Sequence, residues 1–179
     1  MSASIAPSGV ERRFGPDEVI VSKTDLKGRI TYANPVFCRV SALTEPEVLG
    51  QPHNVIRHPD MPRGVFRLLW QTLAEGREIF AYILNLAGDG AHYWVLAHVT
   101  PSFAADGSVV GYHSNRRLPA PAAVGAIWPL YQEMLRAEAG HANAGDAAQA
   151  GLEALDRLLA ERGTSYDELV WSLTTGAVA

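Results

Sequence analysis

The sequence predicts an α+β domain: a five-stranded antiparallel sheet with short helices on one face, followed by C-terminal helices. Two strand-like runs come first, several short helical segments follow, and three more strand-like runs complete the pattern. Glycine-containing turns separate the last three runs, which favours antiparallel pairing between them. This order of elements leaves a pocket between the sheet and the helices.

The first two strands are predicted by runs rich in β-branched residues, at residues 18–24 and 29–34. The four residues between them, 25–28, end in glycine and favour a tight connection. We therefore expect the two strands to form an antiparallel hairpin.

Three helical segments are predicted in the middle of the chain, the first at residues 35–40. Thr44 and Glu47 have the spacing of a capping box and begin the second segment, which ends at Gly50. Asp60 is the candidate N-cap of the third and longest segment, which stops at Gly76. Its apolar residues recur with the helical period and predict one buried face: Val65, Phe66, Leu69, Trp70 and Leu73.

The remaining three strands are predicted at residues 79–86, 92–103 and 109–116. A Gly-Asp-Gly sequence at 88–90 separates the first two, and an Asp-Gly pair at 106–107 separates the second from the third. Both sequences are strong hairpin signals because glycine and aspartate tolerate the backbone angles of tight turns.

A Leu-Pro-Ala-Pro sequence at residues 118–121 marks a boundary in the chain. We therefore expect a polar N-terminal arm at residues 1–16, a central domain at 17–118 and a helical segment at 119–179. The first helix of the last segment is predicted at residues 122–139.

Two further C-terminal helices are predicted from capping boxes. Asp146 with Gln149 begins one that runs through Arg162, and Ser165 with Glu168 begins the other. The apolar stripes of the C-terminal helices need a partner, which is the sheet, one another or a second chain. A second chain would make the protein a homodimer through these helices.

Composition excludes several classes of protein. Hydrophobic residues make up 47% and charged residues 19%, which excludes a disordered chain. The net charge of −4 provides no basic field for nucleic acid or anionic lipid. The single cysteine, Cys38, excludes an internal disulfide and a multi-cysteine zinc site. Residues 1–7 do not resemble a signal peptide and no long apolar run occurs, so we expect a cytoplasmic protein without a membrane span.

The sequence carries no common enzyme signature. It has no Gly-x-Gly-x-x-Gly motif after a strand, no phosphate-binding loop and no Gly-x-Ser-x-Gly motif. Cys38 has no evident base beside it and is interpreted as a small buried hydrophobic residue. We therefore predict a protein without catalytic activity.

Residues 17–117 resemble a PAS domain, a small ligand-holding sensor fold with this order of strands and helices. The run Gly-Gln-Pro-His-Asn-Val-Ile-Arg-His-Pro-Asp-Met-Pro at 50–62, with Gly-Ala-His-Tyr-Trp-Val at 90–95, is similar to the PAS domain of bacterial aerotaxis receptors, which holds FAD. The similarity extends over about residues 15–135. It implies a non-covalently bound flavin whose redox state reports oxygen or respiratory status.

The sequence departs from that family in three places. Phe80 stands where the family usually has tryptophan, and residues 85–87 replace a basic run. An aerotaxis receptor continues into a membrane segment and a signalling coiled coil, whereas this sequence ends at Ala179. We therefore expect a stand-alone sensor whose signal passes in trans to a partner such as a chemoreceptor or a kinase.

The resemblance assigns a first group of candidate FAD-binding residues to the loop before the longest middle helix. Arg57, His58 and Asp60 supply a cation and polar groups for the pyrophosphate and the adenosine. Their alternative role is local, with Arg57 paired to Asp60 while Asp60 caps the helix. His53 and Asn54 begin the same loop, and His53 stands where blue-light flavin domains carry a reactive cysteine, which favours redox over light sensing. Alternatively, His53 is a hydrogen-bonded residue that orders the loop.

The remaining candidates lie on the predicted strands and the longest middle helix. Asn34 and Asn85 offer amides that match the pyrimidine edge of a flavin, although Asn34 is also a natural helix N-cap. Trp70, Phe80 and Tyr93 are candidates to flank the flavin ring, or are ordinary core residues. Trp94 follows Tyr93 on a strand, so only one of the two faces the pocket.

Two other functions are compatible with the same fold. A haem-binding gas sensor needs a histidine ligand, and four histidines are available: His58, His92, His98 and His113. A cofactor-free module for dimerisation or docking is the other alternative. The motif at residues 50–62 favours a non-covalent FAD sensor of redox or oxygen status over both.

Overall fold

Five strands form one antiparallel sheet in a computed structural model that describes residues 5–176. The strands are β1 (Ile20–Thr24), β2 (Ile30–Ala33), β3 (Ile79–Leu86), β4 (His92–Phe103) and β5 (Val109–Arg117). Their order across the sheet is β2-β1-β5-β4-β3, and every neighbouring pair is antiparallel. The predicted fold class is confirmed, and the predicted bounds of β3 and β4 agree with the observed ones.

Three helices and one 3₁₀ turn connect β2 to β3. They are α1 (Pro35–Ser41), α2 (Glu45–Val48), the turn His53–Ile56, and α3 (Arg63–Ala74). The capping box of Thr44 and Glu47 at α2 is confirmed. The helix it begins ends at Val48, two residues before the predicted stop at Gly50.

Three further helices follow β5. They are α4 (Pro121–Glu138), α5 (Ala144–Arg162) and α6 (Tyr166–Thr175). The capping box of Ser165 and Glu168 at the start of α6 is confirmed. Within residues 5–176, no helix is both long and apolar enough to span a bilayer.

Two predicted helix starts are wrong, and in both cases another group satisfies the first amides. Asp60 does not cap α3, because the N-cap position is Pro62 and the Asp60 carboxylate is largely exposed. Asp146 does not begin α5, because Asn143 caps this helix three residues earlier with a 2.7 Å bond from the Gly145 amide. Alanines at 144 and 147 then sustain the extra turn.

Both faces of β3 and β4 are covered, which explains why nearly every residue of β3 is buried. We call the face toward α1–α3 the inner face and the opposite one the outer face. On the outer face, Trp94 packs edge-on against Trp128 of α4, with ring centroids 5.8 Å apart. The Tyr82 hydroxyl lies 3.0 Å from Thr174 Oγ1 of α6. The apolar stripes of the C-terminal helices thus pack against their own sheet, and α5 packs against α3 and α4.

The N-terminal arm lies beside the start of β4. The Arg12 amide donates to the His92 carbonyl at 2.7 Å, and the His92 amide donates to the Val10 carbonyl at 2.9 Å. Phe14 is buried in the core. Two ends of the chain lie outside the described residues: 1–4 of the predicted arm and 177–179 of the predicted helical segment. The first of these ranges is also part of residues 1–7, which do not resemble a signal peptide.

Tyr131 joins the sheet to the C-terminal helices and yields a stability prediction. Its buried hydroxyl donates to the Tyr82 carbonyl at 2.8 Å and lies 2.9 Å from the Tyr166 hydroxyl. We expect Tyr131→Phe to lower the free energy of unfolding by about 1–3 kcal/mol, because two buried polar groups lose a partner. Urea unfolding measures the change. Tyr32→Phe, at an exposed position of β2, is the control. Equal unfolding midpoints for the two variants would contradict this role.

Candidate functional site

A cavity of about 790 Å³ lies between α3, the inner face of the sheet and the loop that carries the 3₁₀ turn. Its size falls within the roughly 300–1,000 Å³ of sites that enclose small ligands and cofactors. Four strands contribute to its floor, through Ser22, Thr24, Ile83, Asn85, Ala97, Val99, Ser114 and Arg116. The start of α5 also reaches the cavity, through Ala144 and Ala148.

The cavity is positively charged although the chain carries a net charge of −4. Within the described part of the chain, the residues that line it include no aspartate or glutamate. They include five cationic side chains: Lys27, Arg57, Arg63, Arg67 and Arg116. Cations in a partly apolar enclosure favour a ligand that carries negative charge.

The cavity also collects unsatisfied polar atoms. In residues 5–176, seven buried side-chain nitrogen or oxygen atoms have no hydrogen-bond partner, and all seven belong to residues that line this cavity. Four are nitrogens that only donate: Arg57 Nε, Arg67 Nε, Asn85 Nδ2 and Arg116 Nη1. The other three are Thr24 Oγ1, His113 Nε2 and Ser114 Oγ. Because native structures leave few such atoms unpaired, this clustering indicates a ligand site that presents donors to acceptor groups.

Arg116 is buried in this wall at 4% exposure. Its Nη2 donates to Ser22 Oγ at 2.8 Å and lies 2.5 Å from His53 Nε2. Its guanidinium carbon lies 5.7 Å from the centroid of the Phe37 ring. None of the ion pairs formed among residues 5–176 includes Arg116. A buried cation held only by neutral neighbours is energetically costly, so this position is suited to an anionic or carbonyl group of a ligand.

The ionisation of this cluster follows from burial and from the guanidinium. Burial lowers the pKa of Arg116 to about 10, with the Tyr93 phenol acting in the opposite direction. Burial first, and then the charge of Arg116, lower the pKa of His53 to about 3. His53 is therefore neutral at physiological pH, and its Nε2 is suited to accept a hydrogen bond from Arg116.

Arg57 and Asn85 lie together on the cavity wall because their backbones form an isolated antiparallel bridge. Arg57 Nη2 donates to the Met61 carbonyl at 2.6 Å, and the guanidinium carbon lies 5.5 Å from the centroid of the Phe66 ring. Burial, and then Arg63, lower the pKa of Arg57. Arg57 Nε and the side-chain nitrogen Nδ2 of Asn85 have no hydrogen-bond partner.

The structure brings half of the sequence-predicted site residues to the cavity. Those that line it are His53, Asn54, Arg57, Trp70 and Asn85. Those that do not line it are Asn34, His58, Asp60, Phe80 and Tyr93.

Asn34 and Phe80 have structural surroundings of their own. The Asn34 side chain accepts bonds from the Val21 and Phe37 amides and donates to the Val19 carbonyl, so it caps α1 and ties it to β1. Phe80 lies on the outer face, where its ring stacks on His98 with centroids 4.1 Å apart. Because Phe80 and Asn85 are separated by an odd number of positions on β3, they face opposite sides of the sheet.

The other three residues lie beside the cavity without lining it. His58 is buried, and its Nδ1 accepts the Asp60 amide at 3.1 Å. The exposed Asp60 carboxylate lies 3.8 Å from the same nitrogen. Tyr93 is buried on the inner side of β4, and Trp94 lies on the outer side, as their adjacency predicts.

The four histidines considered as haem ligands are dispersed. His113 belongs to the cavity wall, but it alternates with Ser114 and Arg116 on β5, so its imidazole faces the outer side of the sheet. His98 is on the outer face, 2.7 Å from Glu78. His58 and His92 pack edge-on against each other, with centroids 6.1 Å apart, and neither lines the cavity.

Sequence reasoning missed Arg116, Ser22 and two cations of α3, Arg63 and Arg67. A signal for Arg116 was present, because it shares a strand face with Ser114 and Tyr112 at a spacing of two residues. An arginine at an inward-facing position of a central strand is uncommon and marks a functional candidate. The α3 cations carry no such signal, because arginines on a helix commonly face solvent.

Comparisons with known proteins agree with this fold. A family model described as the PAS fold matches residues 18–114. An aerotaxis receptor of Escherichia coli (strain K12) is 40% identical over 118 residues, which are 66% of this chain and 23% of the receptor. A nitrogen fixation regulatory protein of Klebsiella pneumoniae is 32% identical over 99 residues, 55% of this chain and 20% of that protein. The chain thus spans less than a quarter of the length of these relatives.

Two solved structures show the fold similarity directly. A light-oxygen-voltage domain studied with a flavin analogue superposes with a TM-score of 0.56 at 19% identity, over 64% of this chain and 85% of its own. The light state of the blue-light photoreceptor Aureochrome1 LOV gives 0.54 at 19% identity, over 62% and 88%.

The low pKa of His53 yields a prediction about acid stability. Between its ordinary value of 6.5 and about 3, the unfolded chain binds a proton at His53 that the folded chain does not bind. Stability is therefore lost as the pH falls through this window. We expect the urea midpoint to fall more between pH 7 and pH 4.5 in the wild-type protein than in His53→Gln. His141→Gln, at an exposed histidine, should behave like wild type, and an equal fall in all three proteins would contradict the prediction.

Proposed function

Because this chain belongs to the PAS-fold family, we propose that it is a sensor domain that holds FAD non-covalently in the cavity and signals redox or oxygen status. One observation carries the proposal. Seven buried polar atoms of residues 5–176 have no hydrogen-bond partner, and all seven belong to residues that line a single cavity with five cations and no carboxylate. A ligand rich in acceptors and negative charge, such as a flavin dinucleotide, fits this donor set.

The relatives support a flavin and an oxygen-linked signal. The aerotaxis receptor is 40% identical over two thirds of this chain. One of the similar folds was studied with a flavin analogue. What these names describe applies to those proteins. That this chain also binds a flavin and responds to oxygen is part of the proposal.

The inner part of the cavity is suited to a flavin ring. Asn85 Nδ2 and Arg116 Nη1 are free donors for the carbonyl oxygens of its pyrimidine edge. Apolar side chains from α3 and the sheet surround them and exclude water from the ring: Leu69, Leu73, Ile83, Ala97 and Val99. Asn54 and His53 continue the wall at the 3₁₀ turn.

Three arginines of the cavity wall are suited to phosphates. Arg57, Arg63 and Arg67 line the cavity, and the last two lie one helical turn apart on α3. Guanidinium groups bind phosphate oxygens in pairs, so three of them match a pyrophosphate better than a single phosphate. Trp70, at 41% exposure, packs edge-on against Tyr112 and supplies aromatic surface near solvent. These features favour FAD over FMN.

When bound, FAD would supply reversible redox chemistry whose two states differ in charge and in hydrogen-bonding groups. Burial lowers the pKa of Arg116 only to about 10, so this residue is cationic at physiological pH. It therefore favours the state with more negative charge beside it. Asn85 presents an amide that can donate or accept, and its backbone bridge to Arg57 transmits a reorientation to the loop. We infer that the C-terminal helices pass this signal to a partner protein.

A haem-binding gas sensor is the second candidate. His113 belongs to the cavity wall, but it alternates with Ser114 and Arg116 on β5, so its imidazole faces the outer side of the sheet. None of the other three histidines considered as ligands lines the cavity, and the cations Arg57, Arg63 and Arg67 favour FAD over haem.

The absorption spectrum of the freshly purified protein tests the proposal, followed by acid release and chromatography of the pigment. We expect a flavin band in the blue region and released FAD. A sharp Soret band would show that the bound cofactor is haem and would direct attention to the histidines. A colourless protein that also fails to bind added FAD would contradict a flavin sensor and favour a cofactor-free interaction module.

Replacement of Arg116 should separate ligand binding from folding. We expect Arg116→Gln to weaken FAD binding by about 10- to 100-fold, because a charge-assisted hydrogen bond to the ligand is lost. The ligand-free variant should be at least as stable as wild type, since a buried unpaired charge is removed. Fluorescence titration and urea unfolding measure the two effects. Arg117→Gln, at the neighbouring exposed position, is the control, and equal FAD affinity in both variants would contradict the role of Arg116.

A further inference from the structure

The N-terminus of α3 has no cap from its own segment. Its N-cap residue is Pro62, which offers no side-chain acceptor, and its first turn contains no acidic residue. The amides of Arg63 and Gly64 therefore need acceptors from elsewhere, and Gly64 is buried away from solvent.

Glu138, the last residue of α4, supplies both acceptors. Its Oε2 accepts the Arg63 amide at 3.0 Å and its Oε1 accepts the Gly64 amide at 2.8 Å. The Glu138 side chain is buried at 7% exposure. A carboxylate at this end of α3 also interacts favourably with the helix dipole.

Two glycines allow the helices to approach this carboxylate closely. A Cβ atom at Gly64 would lie 2.5 Å from the Leu152 nitrogen of α5, and one at Gly151 would lie 2.2 Å from Glu138 Oε1. The contact of α3, α4 and α5 around Glu138 is called the Glu138 junction below. The backbones of α3 and α5 touch directly, and α4 contacts both helices through the Glu138 side chain. A shift of one helix therefore has to be accommodated by the other two.

α3 is the helix with the largest share of the cavity wall, including Arg63, Arg67 and Trp70. No residue of α4 lines the cavity. The Glu138 junction is therefore a direct contact between the cavity wall formed by α3 and a helix that packs on the outer face of the sheet.

We propose that Glu138 is a positioning residue that couples occupancy of the cavity to the C-terminal helices, a coupling that rests on the proposed function. A bound phosphate group and the Glu138 carboxylate both act on the Arg57 guanidinium, and Glu138 also holds the backbone of Arg63, whose side chain lines the cavity. Arg63 lowers and Glu138 raises the pKa of Arg57, so both groups are within electrostatic reach of it. The interaction energy of the ligand therefore depends on whether Glu138 caps α3 or this contact is broken. Such a difference is the condition for coupling between the two sites.

Hydrogen exchange with and without FAD tests the coupling in the whole protein. In wild type, we expect FAD to slow exchange at residues 130–138, which the ligand does not touch, as well as in α3. In Glu138→Ala, this effect on α4 should vanish while FAD still protects α3. Without ligand, the amides of Arg63 and Gly64 should exchange about tenfold faster in this variant. Glu133→Ala is the matched control, because Glu133 is exposed on the same helix and pairs only with Arg136.

Two further variants keep the test decisive if Glu138→Ala fails to fold. Glu138→Gln retains one acceptor, and Gly151→Ala displaces the carboxylate without removing it. If wild type binds FAD but exchange in α4 does not change, the coupling is wrong and the proposed function stands. The same conclusion follows if FAD still protects α4 fully in the folded variants of the Glu138 junction. Failure of wild type to bind FAD overturns the proposed function, and the coupling with it.

Discussion

A buried positive charge without a carboxylate partner determines how the inner half of this domain is arranged. Arg116 lies on a central strand, and its neighbours Ser22, His53 and Phe37 are all neutral. The same charge helps keep His53 deprotonated, so the cluster holds one charge rather than two. Since residues 5–176 supply no carboxylate partner for Arg116, the arrangement supports the ligand site proposed above.

The second constraint is that β3 and β4 are covered on both faces. The inner face forms the cavity floor with Ile83 and Asn85, and the outer face packs against α4 and α6 through Tyr82 and Trp94. Successive residues of β3 and β4 therefore alternate between the cavity floor and the contacts with α4 and α6. Asn85 and Tyr82 lie on the same strand, so the proposed ligand site and the contacts with the outer helices share one backbone.

The elements of the fold were predictable because local signals set them. β-Branched runs, Asp-Gly turns and the Thr44 and Ser165 capping boxes act within a few residues, and the structure agrees with them. The site was predictable only in part. The motif predicted Arg57 and His53, and both line the cavity. The outward position of Phe80 follows from strand parity, and the inward position of Arg116 follows from which face of β5 is covered by the helices. The start of α3 could not be predicted, because its cap comes from 75 positions away in the sequence.

That distant cap has a consequence for how the chain acquires its structure. During synthesis, β1 through β5 leave the ribosome before Glu138, so α3 must wait with two uncapped amides until α4 has formed and docked. The cooperative folding unit therefore extends past the five-stranded sheet to at least residue 138. A boundary drawn at the Leu-Pro-Ala-Pro sequence would separate α3 from the residue that caps it, and the cavity wall formed by α3 would be completed only after α4 has docked.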